Sequence, residues 1–280
     1  MILRHKPLPV NKFSAILLDM DGVLYHGNQP LNHAIGFMQS IQHIPHCFIT
    51  NNPTLLPRNI ADKLETMGFQ RPKIENILTS GEATALWLSE QNKSYRYFAI
   101  GSQGLHEALN KYGHYDEQHA DYVVIGEGAG IDYKSLTTGI NLIINHKARL
   151  VSTNPDITVD GEIEGKHVIL PGGGTLVSPF IQATGQQPIT IGKPFPLLYE
   201  MAIKRLGVKA QNSLMIGDRP DTDIKGAANL GMKTALVRTG RFLPNEPLPD
   251  DCPVPDWDIL NLLQLQQEFK NAISDGENNE

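Results

Sequence analysis

Residues 15–27 read "AILLDMDGVLYHG". Four apolar residues, Ala15, Ile16, Leu17 and Leu18, predict a buried strand. It ends in two carboxylates one position apart, Asp19 and Asp21, followed by Gly22. Like charges this close disfavour each other's ionisation unless something positive lies near. Two readings are open at this point: an acidic turn, or a metal-bound nucleophile with its acid/base partner.

Outward from this stretch, short apolar runs alternate with helix-periodic segments. Strands are predicted at 16–18, 47–49, 97–100, 122–125, 150–151, 189–191, 213–216 and 234–237. Helices are predicted at 32–42, 57–67, 103–112, 133–146, 196–206, 222–230 and 259–269, with one more running from the Pro171-Gly172-Gly173-Gly174 segment to about residue 183. Residues 159–168 read as a hairpin or loop. Such alternation predicts an α/β chain built on a doubly wound, Rossmann-like parallel sheet. In open parallel sheets ligands bind beyond the carboxyl ends of the strands. Those ends carry four polar clusters: Asp19 and Asp21; Thr50, Asn51 and Asn52; Gly192 and Lys193; and Gly217, Asp218, Asp221 and Asp223. Singly, each is an ordinary turn or helix cap. Jointly, at the strand ends of one sheet, they predict a single site. Three acids, an ammonium and a hydroxyl suit a hard cation with oxygen ligands, and magnesium fits because it also accepts substrate oxygens. Such an ion resolves the charge conflict at Asp19 and Asp21. A carboxylate can then attack phosphorus, and a second carboxyl can protonate the leaving alkoxide.

These motifs in this order resemble the haloacid dehalogenase-like hydrolase superfamily: "DMDGV", "ITNN", "IGKPFP" and "GDRPDTDI". "FITNNPT", "TSGEAT", "STNPD" and "PGGGTLV" extend the likeness to its NagD-like and p-nitrophenylphosphatase-like (class IIA) phosphatases, over residues 13–240. The resemblance implies a magnesium-dependent phosphatase acting on a small phosphomonoester through an aspartyl-phosphate. Asp19 would be nucleophile and metal ligand. Asp21 would be general acid/base and reach the metal by its backbone carbonyl. Asp218 would be the third protein ligand. Thr50, Asn51 and Lys193 would bind the phosphoryl group, and Asp223 would orient Lys193 or a metal-bound water. Val23 stands where many of these phosphatases carry Thr, a change the subfamily accepts.

About 140 residues separate Thr50 from Lys193, more than a plain doubly wound domain needs. The resemblance assigns the excess to an α/β cap inserted after the second motif. The expected division is therefore core at 1–79, cap at 80–185 and core again at 186–280. Asn154 and Asp156 end a cap strand, where a turn and a substrate contact are both open readings. Asn52 is a further candidate for substrate contact. "GVLYHG" reads as a mobile flap closing under the cap.

The formal net charge of -6 argues against a nucleic-acid partner, which needs a basic face. It leaves small phosphorylated metabolites open: sugar phosphates, nucleotide monophosphates, glycerol phosphate, phosphoglycolate and pyridoxal phosphate. Two cysteines make no disulfide framework and no zinc pattern. No apolar run approaches membrane length, and residues 1–12 carry no signal-like core, so a cytoplasmic protein is expected. A homodimer through the cap is expected by analogy with similar proteins. "GEGAG", residues 126–130, fails the dinucleotide pattern because residue 131 is Ile. "PGGGT" lacks the Gly-Lys-Ser/Thr of a P-loop. Two alternatives to a phosphatase stand: a phosphomutase or phosphotransferase sharing the intermediate, and a non-catalytic phosphometabolite-binding protein.

Overall fold

The computed structural model describes residues 13–277, with side chains described through residue 269. The N-terminal stretch read for a signal, 1–12, lies outside the described residues, as do the last three positions of the tail. The described chain divides into two compact units. One comprises residues 13–49, 61–77 and 199–277; the other comprises Thr50–Ile60 and Leu78–Leu198. The segment expected at 80–185 lies within the second, which also takes in 50–60, 78–79 and 186–198.

The first unit is built on a six-stranded sheet in the order Trp257–Ile259, Lys233–Val237, Ser213–Gly217, Ala15–Leu18, His46–Thr50, Ile77–Thr79. Ala15–Leu18 is buried at all four positions, as expected of a parallel strand covered on both faces. It pairs in parallel with Ser213–Gly217 on one side and His46–Thr50 on the other. The chain first winds outward through His46–Thr50, then returns to the opposite side at Ser213–Gly217. The gap between Ala15–Leu18 and Ser213–Gly217 is therefore the topological switch point, where open α/β sheets place ligands. Leu18 lies opposite Ile216, so Asp19 and Asp218 leave adjacent strands at the same rim.

The second unit has its own five-stranded sheet, in the order Ile189–Thr190, Arg149–Ser152, Tyr122–Ile125, Arg96–Ile100, His114–Tyr115, parallel at every pairing. Phe98, Ile100, Val123, Ile125, Leu142, Leu150, Val177 and Phe180 form its core. The helix Tyr133–His146 opens on a capping box between Asp132 and Ser135. Gly139 lets this helix approach the helix Gly173–Thr184, because a Cβ there would lie 2.6 Å from the Phe180 ring. Residues 159–168 fall in an antiparallel hairpin, Thr158–Ile163 with Lys166–Pro171.

One expectation is corrected here. The strand leading to Gly192 and Lys193 does not join the sheet of Asp19. Ile189–Thr190 runs beside Arg149–Ser152. The helix Gly173–Thr184 stops at Gly185, whose φ of 70° turns the chain back. Gln186 Oε1 then accepts from the Leu150 N–H at 2.7 Å, which pins the following residues to that edge.

Candidate active site

Each unit carries polar residues at the carboxyl ends of parallel strands. In the first unit Asp19, Asp218 and Asp223 are buried, and each offers a carboxylate oxygen within 4.8 Å of the others. Sheet register brings Asp19 and Asp218 together, and a hydrogen bond from the Asp19 N–H to the Ile216 carbonyl at 2.9 Å fixes it. Asp223 arrives by a different route. Residues 222–230 do not form the uninterrupted α-helix expected. Pro220–Ile224 makes one π-helical turn before the helix Lys225–Asn229, and this wider turn carries the Asp223 side chain back against the strand end. A Cβ on Gly217 would lie 2.3 Å from Asp223 Cβ, so only glycine admits this approach.

The cluster is held by backbone donors. The Arg241 N–H donates to Asp218 Oδ2 at 2.9 Å, and the Arg219 N–H donates to Asp223 Oδ2 at 3.1 Å. Gly22, at φ 77°, passes so near that a Cβ would meet Asp218 Oδ2 at 2.5 Å. The fully buried Tyr199 donates its hydroxyl to the Thr222 carbonyl at 2.8 Å. Burial, and then the charges of Asp223, Asp19 and Asp221, hold that phenol far above its ordinary pKa, so it remains a neutral donor. Three buried carboxylates this close offer only hard oxygen ligands. Such a donor set fits a hard divalent cation, whose charge would offset their mutual repulsion.

Asp21 lies outside this cluster. Its side chain is 67% exposed, and Oδ1 is 3.6 Å from His26 Nδ1. "GVLYHG" contributes to a small hairpin, Tyr25–His26 with Gln29–Pro30. The Thr239 hydroxyl donates to the Gly22 carbonyl at 2.7 Å, and His26 Nε2 lies 2.7 Å from the Thr239 carbonyl. Lys63 Nζ lies over the Tyr25 ring, 4.1 Å from its centroid. Burial lowers the Lys63 pKa and the Asp21 charge partly restores it. A carboxyl with one side on solvent can exchange protons with water, which three buried neighbours cannot do as readily.

In the second unit the strand ends carry Glu127, Asn154, Asp156 and Lys193, all buried, together with Asn51. Asn51 holds the Lys193 backbone from both sides: Oδ1 accepts from the Lys193 N–H at 2.7 Å, and Nδ2 donates to its carbonyl at 2.9 Å. The same Nδ2 donates to Asp156 Oδ2 at 2.9 Å. Asn154 Nδ2 donates to the Asn51 carbonyl at 2.8 Å, and its Oδ1 accepts from the Asp156 N–H at 3.1 Å. Asn154 and Asp156 thus form both a turn and a buried network. Thr50 Oγ1 accepts from the Asn52 N–H at 3.1 Å. Asn52 Oδ1 is engaged locally, by the Thr54 N–H at 2.7 Å and the Thr54 hydroxyl at 2.6 Å.

Tyr199 and Glu127 are the polar residues that sequence reasoning passed over. Tyr199 sits inside a predicted helix with nothing to mark its hydroxyl. Glu127 stood in the set-aside "GEGAG", and its position directly after a predicted strand was the available signal.

This fold and this rim define a class. Residues 16–114 match the haloacid dehalogenase-like hydrolase family, and residues 190–258 match a HAD-hydrolase-like family. The chain is 35% identical to the 5'-nucleotidase YutF of Bacillus subtilis over 90% of its own length and 97% of that protein's. It is 34% identical to an acid sugar phosphatase of Staphylococcus saprophyticus, covering 93% of this chain and all of that one. Its fold matches the 4-nitrophenylphosphatase of Thermotoga maritima with a TM-score of 0.84 and 29% identity, covering 93% and 98% of the two chains. NagD of E. coli K-12 matches with a TM-score of 0.80 and 26% identity, covering 90% and 97%. The chain belongs to the haloacid dehalogenase-like hydrolases. Within them it is one of the NagD-like and p-nitrophenylphosphatase-like enzymes, which are phosphoric monoester hydrolases. No described helix is long and apolar enough to cross a membrane.

Proposed function

We propose that the chain is a magnesium-dependent phosphatase of small metabolite phosphomonoesters, acting through an aspartyl-phosphate on Asp19. The observation that carries this reading is the buried trio Asp19, Asp218 and Asp223 at the switch point, with the exposed Asp21 two residues beyond Asp19. When bound, magnesium would neutralise phosphoryl oxygens as charge develops on them. Asp19 and Asp218 would hold the ion with the Asp21 carbonyl. Asp223 would hold it with them or orient what they hold; its membership of the trio supports the first role.

The Asp19 carboxylate attacks phosphorus, and the ester oxygen departs with a proton from the Asp21 carboxyl. Asp21, now ionised, takes a proton from water as that water attacks phosphorus. Inorganic phosphate leaves and Asp19 is regenerated. The Thr50 hydroxyl, the Asn51 segment and the Lys193 ammonium supply donors and positive charge for the phosphoryl oxygens. We assign the inserted segment the role of a cap that shields the transfer from water and contacts the leaving group.

The substrate is a small metabolite carrying one phosphate ester. Relatives named for nucleotides and for acid sugars support that breadth. Two thiols, Cys47 buried and Cys252 half-buried, suit a reducing cytoplasm. Exposed Ile157, Ile163 and Ile169 around the hairpin of the second unit support a homodimer through that unit. Hydrolysis of p-nitrophenyl phosphate with magnesium tests the reading. Asp19→Asn should lose about three orders of magnitude or more in kcat, since the nucleophile is gone. Wild-type turnover in that variant would refute the mechanism.

A further inference from the structure

One buried carboxyl in the second unit has no part in the reaction above. Glu127 follows the strand Tyr122–Ile125 and is 5% exposed. Its neighbours are shaped to turn it inward. A Cβ on Gly126 would lie 2.8 Å from Leu105 Cδ2. Gly128, at φ 129°, passes so close to Ser102 that a Cβ would lie 2.5 Å from its nitrogen. The Glu127 carbonyl accepts from that same Ser102 N–H at 2.8 Å. The "GEG" run thus functions as a carrier for one inward side chain.

The carboxyl group reaches two donors. Glu127 Oε1 accepts from Asn154 Nδ2 at 2.8 Å. The Gly173 N–H, at the start of the helix Gly173–Thr184, also donates to the carboxylate. That N–H has no partner within its own helix, and the helix dipole favours an anion there. Asn154 Nδ2 has two hydrogens, and both are used: one toward Glu127, one toward the Asn51 carbonyl. Its Oδ1 accepts from the Asp156 N–H. The Asn51 carbonyl is further fixed by the Ser80 hydroxyl at 2.5 Å. Asn51 in turn holds Lys193 by both backbone groups. A continuous buried path therefore runs from Glu127 through Asn154 and Asn51 to Lys193.

We propose that Glu127 is a positioning residue, fixing the Asn154 amide and through it the Asn51–Lys193 clamp for phosphoryl transfer. This rests on the phosphatase reading given above. Removing the carboxyl leaves a buried Asn154 N–H without its acceptor, and the amide must reorient or draw in water. Either change loosens the segment next to Thr50. The groups facing Glu127 are the Asn154 amide, the Gly173 N–H and the Asp156 carboxylate. Burial raises its pKa to about 7, and the Asp156 charge adds to this, against the two hydrogen bonds. Glu127 therefore changes charge near neutrality while a glutamine at its place cannot.

The experiment measures kcat and KM for p-nitrophenyl phosphate with magnesium from pH 5 to 9, in wild type, Glu127→Ala and Glu127→Gln, with a thermal melt of each. Wild-type turnover is the control for the phosphatase reading, and its absence would refute that reading alone. With wild type active, Glu127→Ala should lose about tenfold or more in kcat with KM within about twofold. Glu127→Gln keeps an acceptor for Asn154. It should recover most of that loss and lack the inflection expected near 7 in wild-type kcat. Melting temperatures that fall while kcat and the pH profile stay at wild type would overturn the proposal. Should Glu127→Ala not fold, Glu127→Gln decides by itself: an unchanged inflection overturns the proposal, and its loss supports it.

Discussion

Two parallel sheets in this chain end in buried acids, and they treat those acids in opposite ways. At the first rim, Asp19, Asp218 and Asp223 are gathered within 4.8 Å of one another, with backbone N–H groups reaching two of them. At the second, Glu127 and Asp156 are each met by a side-chain amide, from Asn154 and Asn51. Each of these two carboxylates has an oxygen that accepts from a side-chain amide. Carboxylates gathered this close repel one another, and a divalent cation bound among them would lower that repulsion. The same topological rule, polar residues beyond parallel strand ends, thus gives a cluster of carboxylates in one sheet and a network of amides and carboxylates in the other.

The comparison breaks most visibly at the first rim. Asp218→Asn removes a ligand charge, and kcat with magnesium should fall by about a thousandfold, as expected when several kcal/mol of charge stabilisation are lost. Steady-state assays across a magnesium series check this. Gly217→Ala leaves every carboxylate in place but drives a Cβ into Asp223. It should cost about 3 kcal/mol in denaturant unfolding, the upper part of the range for overpacking a filled site. Asn51, which follows the strand His46–Thr50, clamps the Lys193 backbone, and Asn51→Ala removes that clamp. A roughly hundredfold loss in kcat is expected from misplacement alone, with magnesium binding retained in calorimetry.

The smallest effect concerns pH. The folded-state pKa of Glu127 is raised, so the folded protein holds a proton there that the unfolded chain has already released. This carboxyl opposes folding increasingly as pH climbs from the usual carboxylate range through about 7. Denaturant melts of wild type and Glu127→Gln should diverge. Wild type should lose about 2 kcal/mol relative to the variant between roughly pH 5 and pH 8. A constant difference would mean that the site is ionised throughout.

How far this contrast was legible in the sequence varies by residue. Asp19 and Asp218 were readable because an apolar strand, an acid and a glycine recur at both positions, and register does the rest. Asp223 was read as a neighbour of the metal ligands, not as one of the gathered carboxylates. Its place depends on the π-helical turn at Pro220–Ile224, and hydrophobic spacing does not reveal a turn of that pitch. The strand before Lys193 was found but placed in the wrong sheet, because a pairing of two residues carries no period. Trp257–Ile259 is not marked by hydrophobic spacing: it follows a proline-rich loop, and Ile259 also fits the start of the predicted helix 259–269, whereas the final helix opens at Leu262. Glu127 is hidden by its flanking glycines, which resemble part of a dinucleotide motif and draw attention from the acid between them.

The carboxylates Asp19, Asp218 and Asp223 should bind a divalent cation, and Glu127 with Asp156 should not. Calorimetric titration of magnesium into wild type, Asp218→Asn and Asp156→Asn measures this directly. One site is expected in wild type, with its loss in Asp218→Asn and its retention in Asp156→Asn. Undiminished binding in Asp218→Asn, or binding abolished by Asp156→Asn in a folded protein, would contradict it.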